Sequence, residues 1–188
     1  MCIRDRGKSA SELSALVAGV EPSAAMPLFL PHLEGERAPI WDSASRGVFA
    51  RLDGRTGAPE MARAVMEGVS FSLRWAFEAL QQSTGSPVEI AKIGGGGSRS
   101  DVWTQIKADI LGFPLRRAAV PNSAAIGAAI LAGVGSGVMP SLPDAIRSLI
   151  QFDRTFEPQR SFRTLYDDRF AHYRDLYETL RPFNDKFA

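Results

Sequence analysis

The chain has 188 residues, 45% of them apolar and 23% charged, and its 22 Lys and Arg nearly balance 21 Asp and Glu for a formal net charge of +1. That length suits one ordinary domain, able to bury roughly two-thirds of its unfolded surface without disulfides or a structural metal. The single Cys2 excludes an internal disulfide. The charge balance speaks against a nucleic-acid partner, and the longest apolar stretches, such as Ala124 to Val134, stop well short of the roughly 20 residues of a membrane span. A cytoplasmic protein with no membrane contact is expected.

The first six residues, Met1 to Arg6, lack the apolar core of a signal peptide. They resemble a translated sequencing-adapter tail, which would make Met1 an unnatural start and the chain a fragment; a short disordered terminus is the other reading. Residues 1–26 are expected to be a lead-in and residues 27–188 a domain. Within the lead-in, Leu13, Leu16 and Val17 mark a small helix.

The body opens with an apolar run, Met26 to Pro31, read as a short strand that its prolines confine to an edge or an end. Polar, Gly- and Pro-rich text from His32 to Trp41 predicts a loop, and Gly47 to Ala50 a second short strand. A long helix follows. Pro59 suits its first turn, Gly85 its end, and apolar residues recur at Ala62, Val65, Met66, Val69, Leu73, Ala76, Phe77 and Leu80. Arg63 with Glu67 and Arg74 with Glu78 are i,i+4 pairs, which predicts solvated positions.

Val88 to Ile93 is rich in β-branched residues and runs into Gly94-Gly95-Gly96-Gly97. Ser98 to Asp101 offers cap residues for a helix carrying Val102, Trp103, Ile106 and Ile110, ended by Gly112. Phe113 to Val120 predicts another strand, stopped by Pro121 and Asn122. Ser123 is expected to cap a small-residue helix over Ala124 to Ala132. Ser141 starts a short helix to about Gln151, and from about Ser161 a long amphipathic helix shows charges of alternating sign, expected to be a solvated face. Strands alternating with helices indicate an α/β architecture.

A strand that enters a glycine run and leaves through a helix gathers bare backbone amides and a positive helix end at one point, the chemistry that binds a phosphate. A merely flexible or tight turn is the bland alternative. Neither familiar phosphate motif fits: the dinucleotide pattern fails because its sixth place is Arg99 or Ser100, and no Gly-Lys-Ser/Thr exists for a P-loop. The two histidines, His32 and His172, have no second ligand spaced for a metal site.

Several segments together resemble the FGGY carbohydrate kinases, in particular their xylulokinase-like branch. Phe29-Leu30-Pro31-His32-Leu33-Glu34-Gly35-Glu36-Arg37-Ala38-Pro39 is similar to the family's F-L-P-Y-L-x-G-E-R-x-P, and Ala44 to Phe49 and Arg63 to Val69 look like the next two conserved stretches. Gly94 to Ser100, with Trp103 and Asp109, resembles the adenosine motif, and Ala125-Ile126-Gly127-Ala128-Ala129 resembles A-L-G-A-A.

The resemblance implies an actin-like, ribonuclease-H-like ATPase fold in two domains with ATP and sugar in the cleft between them, this chain being an incomplete second domain. It implies that Gly95, Gly96 and Gly97 lie against nucleotide phosphates, that Ser100 lies near the adenine side, and that the helix around Gly127 packs closely behind that site. Arg37 is either cleft-facing or paired with Glu34 or Glu36. The family's catalytic Asp lies in a G-D-x-x-A segment that this sequence lacks, so the chain is expected to bind nucleotide weakly and to be inactive alone. For the parent enzyme the resemblance implies ATP with Mg2+, a sugar substrate and a possible homodimer. A stand-alone, non-catalytic module that binds a nucleotide or a partner is the alternative.

Overall fold

In a computed structural model of the chain, residues 9–120 and 122–187 are described; the expectations for residues 1–6, Cys2 and Pro121 lie outside them. Helix α1 (Ala10–Ala18) starts with a capping box in which Ser9 Oγ accepts from the Glu12 amide and the Glu12 carboxylate accepts from the Ser9 amide. Its Val17 is fully buried.

After an irregular connection, β1 (Leu28–Leu30) pairs antiparallel with β2 (Val48–Ala50), Phe29 facing Phe49. Helix α2 (Ala58–Thr84) carries Pro in its first turn and ends on left-handed Gly85 at φ 68°. β1 crosses this helix at Gly68, where a Cβ would lie 2.1 Å from the Phe29 carbonyl oxygen. Only glycine lets the strand lie so close to the helix axis.

A second sheet joins β3 (Ala91–Ile93), β4 (Leu115–Ala118) and β5 (Phe152–Phe156) in that spatial order. β3 and β4 run parallel, connected through α3 (Asp101–Leu111), and β5 runs antiparallel to β4. Helices α4 (Ser123–Gly135) and α5 (Leu142–Leu149) lie between β4 and β5, and α6 (Arg163–Asn184) closes the chain. The main core gathers Leu30, Phe71, Ile110, Tyr166, Phe170 and Tyr173 from β1, α2, α3 and α6. A smaller one joins Ala108, Leu111, Phe113, Leu115 and Phe156 under the second sheet.

Several expectations are corrected. The strand expected from Val88 forms only from Ala91, because the Val88 amide turns back to Gln81 Oε1 on α2. β5 was not foreseen, and Asn122 rather than Ser123 caps α4, its side chain accepting from the Ala125 amide. Of the charged pairs on α2, Arg63–Glu67 is buried, and in Arg74–Glu78 the arginine is buried while the acid is half-buried.

Glu67 is 1% exposed and Arg63 is 6% exposed. The Glu67 carboxylate accepts from Arg63 Nε and from an Arg169 guanidinium nitrogen of α6, both at 2.8 Å. Arg169 also donates to the carbonyls of Ser23, Met26 and Pro27, and Arg63 to that of Val20. The connection between α1 and β1 makes few hydrogen bonds of its own, and these guanidinium donors satisfy its carbonyls, including those of Met26 and Pro27, which burial would leave orphaned. The face of α6 expected to be solvated therefore holds a buried cation as well.

Candidate functional site

β3 delivers the chain into the glycine run, and a 3-10 turn, Gly96–Arg99, leads on to α3. The four glycines differ in what requires them. A Cβ on Gly94 would lie 2.3 Å from Ser123 Oγ at the start of α4, so the run is wedged against that helix. Gly95 has φ 85°, a left-handed conformation that side chains disfavour. A Cβ on Gly97 would come within 3.3 Å of the Trp103 ring. Gly96, like Gly95, meets nothing within 4 Å, but it has no positive φ and is exposed.

Gly96 and Gly97 contribute the first two amides of the 3-10 turn, which by geometry have no acceptor within it. The turn is pinned from below. Buried Ser98 returns both its amide and its hydroxyl to the Gly95 carbonyl, at 3.2 and 2.8 Å. Arg117 on β4 reaches the Ser98 carbonyl while paired with Asp101 and Asp153. Ser100 serves as the N-cap of α3: its Oγ accepts from the Trp103 amide at 3.1 Å and is bonded to Ser14 of α1 at 2.8 Å. The Trp103 indole donates to the Met66 carbonyl at 3.1 Å, fixing α3 on α2.

Of the site residues expected from sequence, Gly95, Gly96 and Gly97 thus form one partly exposed turn, and Ser100 stands at its exit as a cap. Asp109 lies deeper: its carboxylate accepts from the Gln159 amide and from Gln105, both at 2.8 Å, linking α3 to the chain before α6. Burial pushes the Asp109 carboxyl up, opposed by those hydrogen bonds. Beside it a groove of about 440 Å³ runs between α1, α3 and β5, lined by residues including Arg63, Gln105 and Arg154.

Lys107 was missed. It is 7% exposed, and its Nζ lies 3.9 Å from the centre of the Trp103 ring. Burial pushes its ammonium down to about 8. The signal for it was the spacing: Lys107 follows Trp103 by four, so a helix places both on one side.

The loop after β1 is the other polar centre. His32 is fully buried, with Nδ1 2.7 Å from Ser45 Oγ and Nε2 3.2 Å from the Tyr173 hydroxyl. Burial lowers its pKa below 6.5 against the opposing pull of Glu36 and Asp42. Asp42 accepts from the amides of Ala44 and Ser45 and from the Tyr177 hydroxyl, which ties the loop to α6. The Arg37 guanidinium makes no ion pair among the described residues.

Residues 2–136 match the signature of the C-terminal domain of the FGGY family of carbohydrate kinases. The chain belongs to this family. It is 37% identical to a glycerol kinase of Myxococcus xanthus over 81% of its own length and 30% of that protein. It is 32% identical to a xylulose kinase of Staphylococcus epidermidis over 93% of its length and 35% of that protein. The structure of a ligand-bound xylulose kinase from Lactobacillus acidophilus superimposes with a TM-score of 0.83 at 29% identity, covering 96% of this chain and 36% of the other. The chain thus spans about a third of the length of the relatives it matches. Its fold is the actin-like, ribonuclease-H-like ATPase arrangement of the FGGY kinases.

Within that fold the expected packing of α4 is corrected. A Cβ on Gly127 would meet nothing within 4 Å, and Leu131 on the same helix is 64% exposed. The close approach occurs instead at Gly94 and Ser123, where the start of α4 comes back against the glycine turn after α3 and β4. No helix among the described residues is long and apolar enough to cross a membrane.

Proposed function

We propose that the glycine turn binds the phosphates of a nucleotide and that the chain serves as the nucleotide-binding part of an ATP-dependent carbohydrate kinase, which moves the γ-phosphoryl group of ATP to a sugar or polyol hydroxyl. The observation that carries this is Gly96. Gly94 and Gly95 are glycine for reasons internal to the fold, a clash with Ser123 and a positive φ, and a Cβ on Gly97 would be tight against Trp103, but the fold leaves open space for a Cβ on Gly96. A ligand lying against the main chain supplies the missing reason.

In this reading the amides of Gly96 and Gly97 donate to phosphate oxygens, and the positive end of α3 adds its field. Ser100 acts as the cap that holds this end in place, close to where the nucleoside would continue. Phosphoryl transfer depends on positioning and electrostatic stabilisation more than on covalent chemistry by the protein. The chain's share is to position the donor. Asp101, the acid next to the turn, is committed to Arg117 and Arg154, and no G-D-x-x-A segment supplies a base.

No three His, Cys, Asp or Glu side chains among the described residues converge on a metal site. A Mg2+ arriving with the nucleotide would be held mainly by its phosphates and by water, and the part assigned to this chain is to hold the nucleotide. Titration with ADP, followed by amide chemical shifts, is expected to move Gly96 and Gly97 before any other residue, whereas adenosine leaves them in place. ADP that moves neither amide would refute the assignment.

A further inference from the structure

Lys107 is a buried cation without an acid. Among the described residues it makes no ion pair and no side-chain hydrogen bond, although it is 7% exposed. The acids of the helices around it are engaged elsewhere: Asp101 with Arg117 and Arg154, Asp109 with Gln105 and Gln159, Glu67 with Arg63 and Arg169. Apart from a small opening to solvent, the Trp103 ring face is what it has, with Nζ 3.9 Å from the ring centre. A ring face compensates only part of the hydration an ammonium gives up on burial. A methionine would fill the same slot without that cost.

The position of the ammonium explains the arrangement. A Cβ on Gly97 would lie 3.5 Å from Lys107 Nζ, so the charge stands close under the glycine turn. The ring that holds it is itself anchored on the Met66 carbonyl at 3.1 Å. A positive charge and two amides that have no acceptor among the described residues therefore belong to one short stretch of the molecule. Burial alone sets the ammonium near 8, with neither acid nor cation adding to the shift, so it is poised to respond to an anion placed nearby.

We propose that Lys107 is a positioning residue for phosphate: held by Trp103 beneath Gly97, its ammonium draws an anionic phosphate group onto the glycine turn and is kept charged by that group in return. This rests on the phosphate-binding reading of the turn and adds the cation to it.

The test uses the whole chain with ADP as the probe and adenosine as the uncharged comparison. Lys107→Met is expected to weaken ADP severalfold, as the loss of a unit charge acting across the backbone does, and to leave adenosine unchanged. In wild type with isotope-labelled lysine, the titration midpoint of Lys107 near 8 is expected to rise when ADP saturates the protein. A lysine with a purely structural role would show no such rise. If ADP moves the Gly96 and Gly97 amides while the Lys107 midpoint stays fixed, the inference is overturned and the phosphate reading survives. If ADP moves no turn amide, both fall. The wild-type midpoint decides the matter even where Lys107→Met folds poorly.

Discussion

The side of the molecule built from α2, α3 and α6 keeps ions in its interior, whereas the side built from α4 and α5 keeps apolar side chains at its surface. On the first side Glu67, Arg63 and Arg169 are each no more than 6% exposed and are tied to one another and to four backbone carbonyls. On the second, Leu131 is 64% and Ile146 is 46% exposed. Residue type alone did not decide burial. The decisive factor is what stands opposite each helix: α2 faces β1, α3 and α6, and the buried carbonyls before β1 require donors long enough to reach them, which arginine supplies. The glycine turn sits at the boundary between the two sides, resting on α3 and meeting α4 at Ser123.

The strongest way to break this contrast is to remove the anion from the charged hub. Glu67→Ala leaves two buried guanidinium groups without their carboxylate and is expected to cost about 3–5 kcal/mol in urea unfolding. A loss under about 1 kcal/mol, the range of an exposed pair, would mean that water reaches the hub.

A smaller, pH-dependent effect comes from His32. Its folded pKa lies below the unfolded value of 6.5 because burial disfavours the imidazolium. Between those two values the unfolded chain binds the extra proton, so stability is complete above 6.5 and falls as pH drops below it. One such group gives a slope of at most about 1.4 kcal/mol per pH unit. Thermal unfolding of His32→Gln between neutral and mildly acidic pH is expected to show a shallower slope than wild type. Equal slopes would place the acid sensitivity in other groups.

The smallest effect is expected on the exposed side. Leu131→Ser is expected to change stability by no more than about 0.5 kcal/mol, as chemical unfolding would show; a loss of several times that size would mean that α4 is packed after all.

Much of this layout was legible in the sequence, for reasons that also explain what was not. The long helices α2 and α6 announced themselves by sustained period and by Gly85, and β1 and β2 by short apolar runs between turn residues. β5 did not, because Asp153, Arg154 and Thr155 separate its two phenylalanines. Two of these, Asp153 and Arg154, are exposed and pair with Arg117 and Asp101, a charged strand edge that reads as loop.

The charged hub was hidden because Arg63 and Glu67 look the same as an i,i+4 pair in water or in a core. The partner that distinguishes them, Arg169, lies 102 positions away from Glu67. At the candidate site the glycine run and its helix were plain. Which glycine is free of internal constraint was not, since that depends on where Ser123 and Trp103 come to rest. Lys107 was hidden for the same reason: spacing put it beside Trp103, but only folding put it under Gly97.

The central claim is that Gly96 is glycine for a ligand rather than for the fold. Gly96→Val tests it most directly, because a Cβ there has open space in the protein while the side chain stands where phosphate oxygens are proposed to lie. Calorimetric titration with ADP, with thermal unfolding as a control, is expected to show lost binding at a nearly unchanged unfolding temperature. A Gly96→Val protein that binds ADP as wild type does would contradict the account.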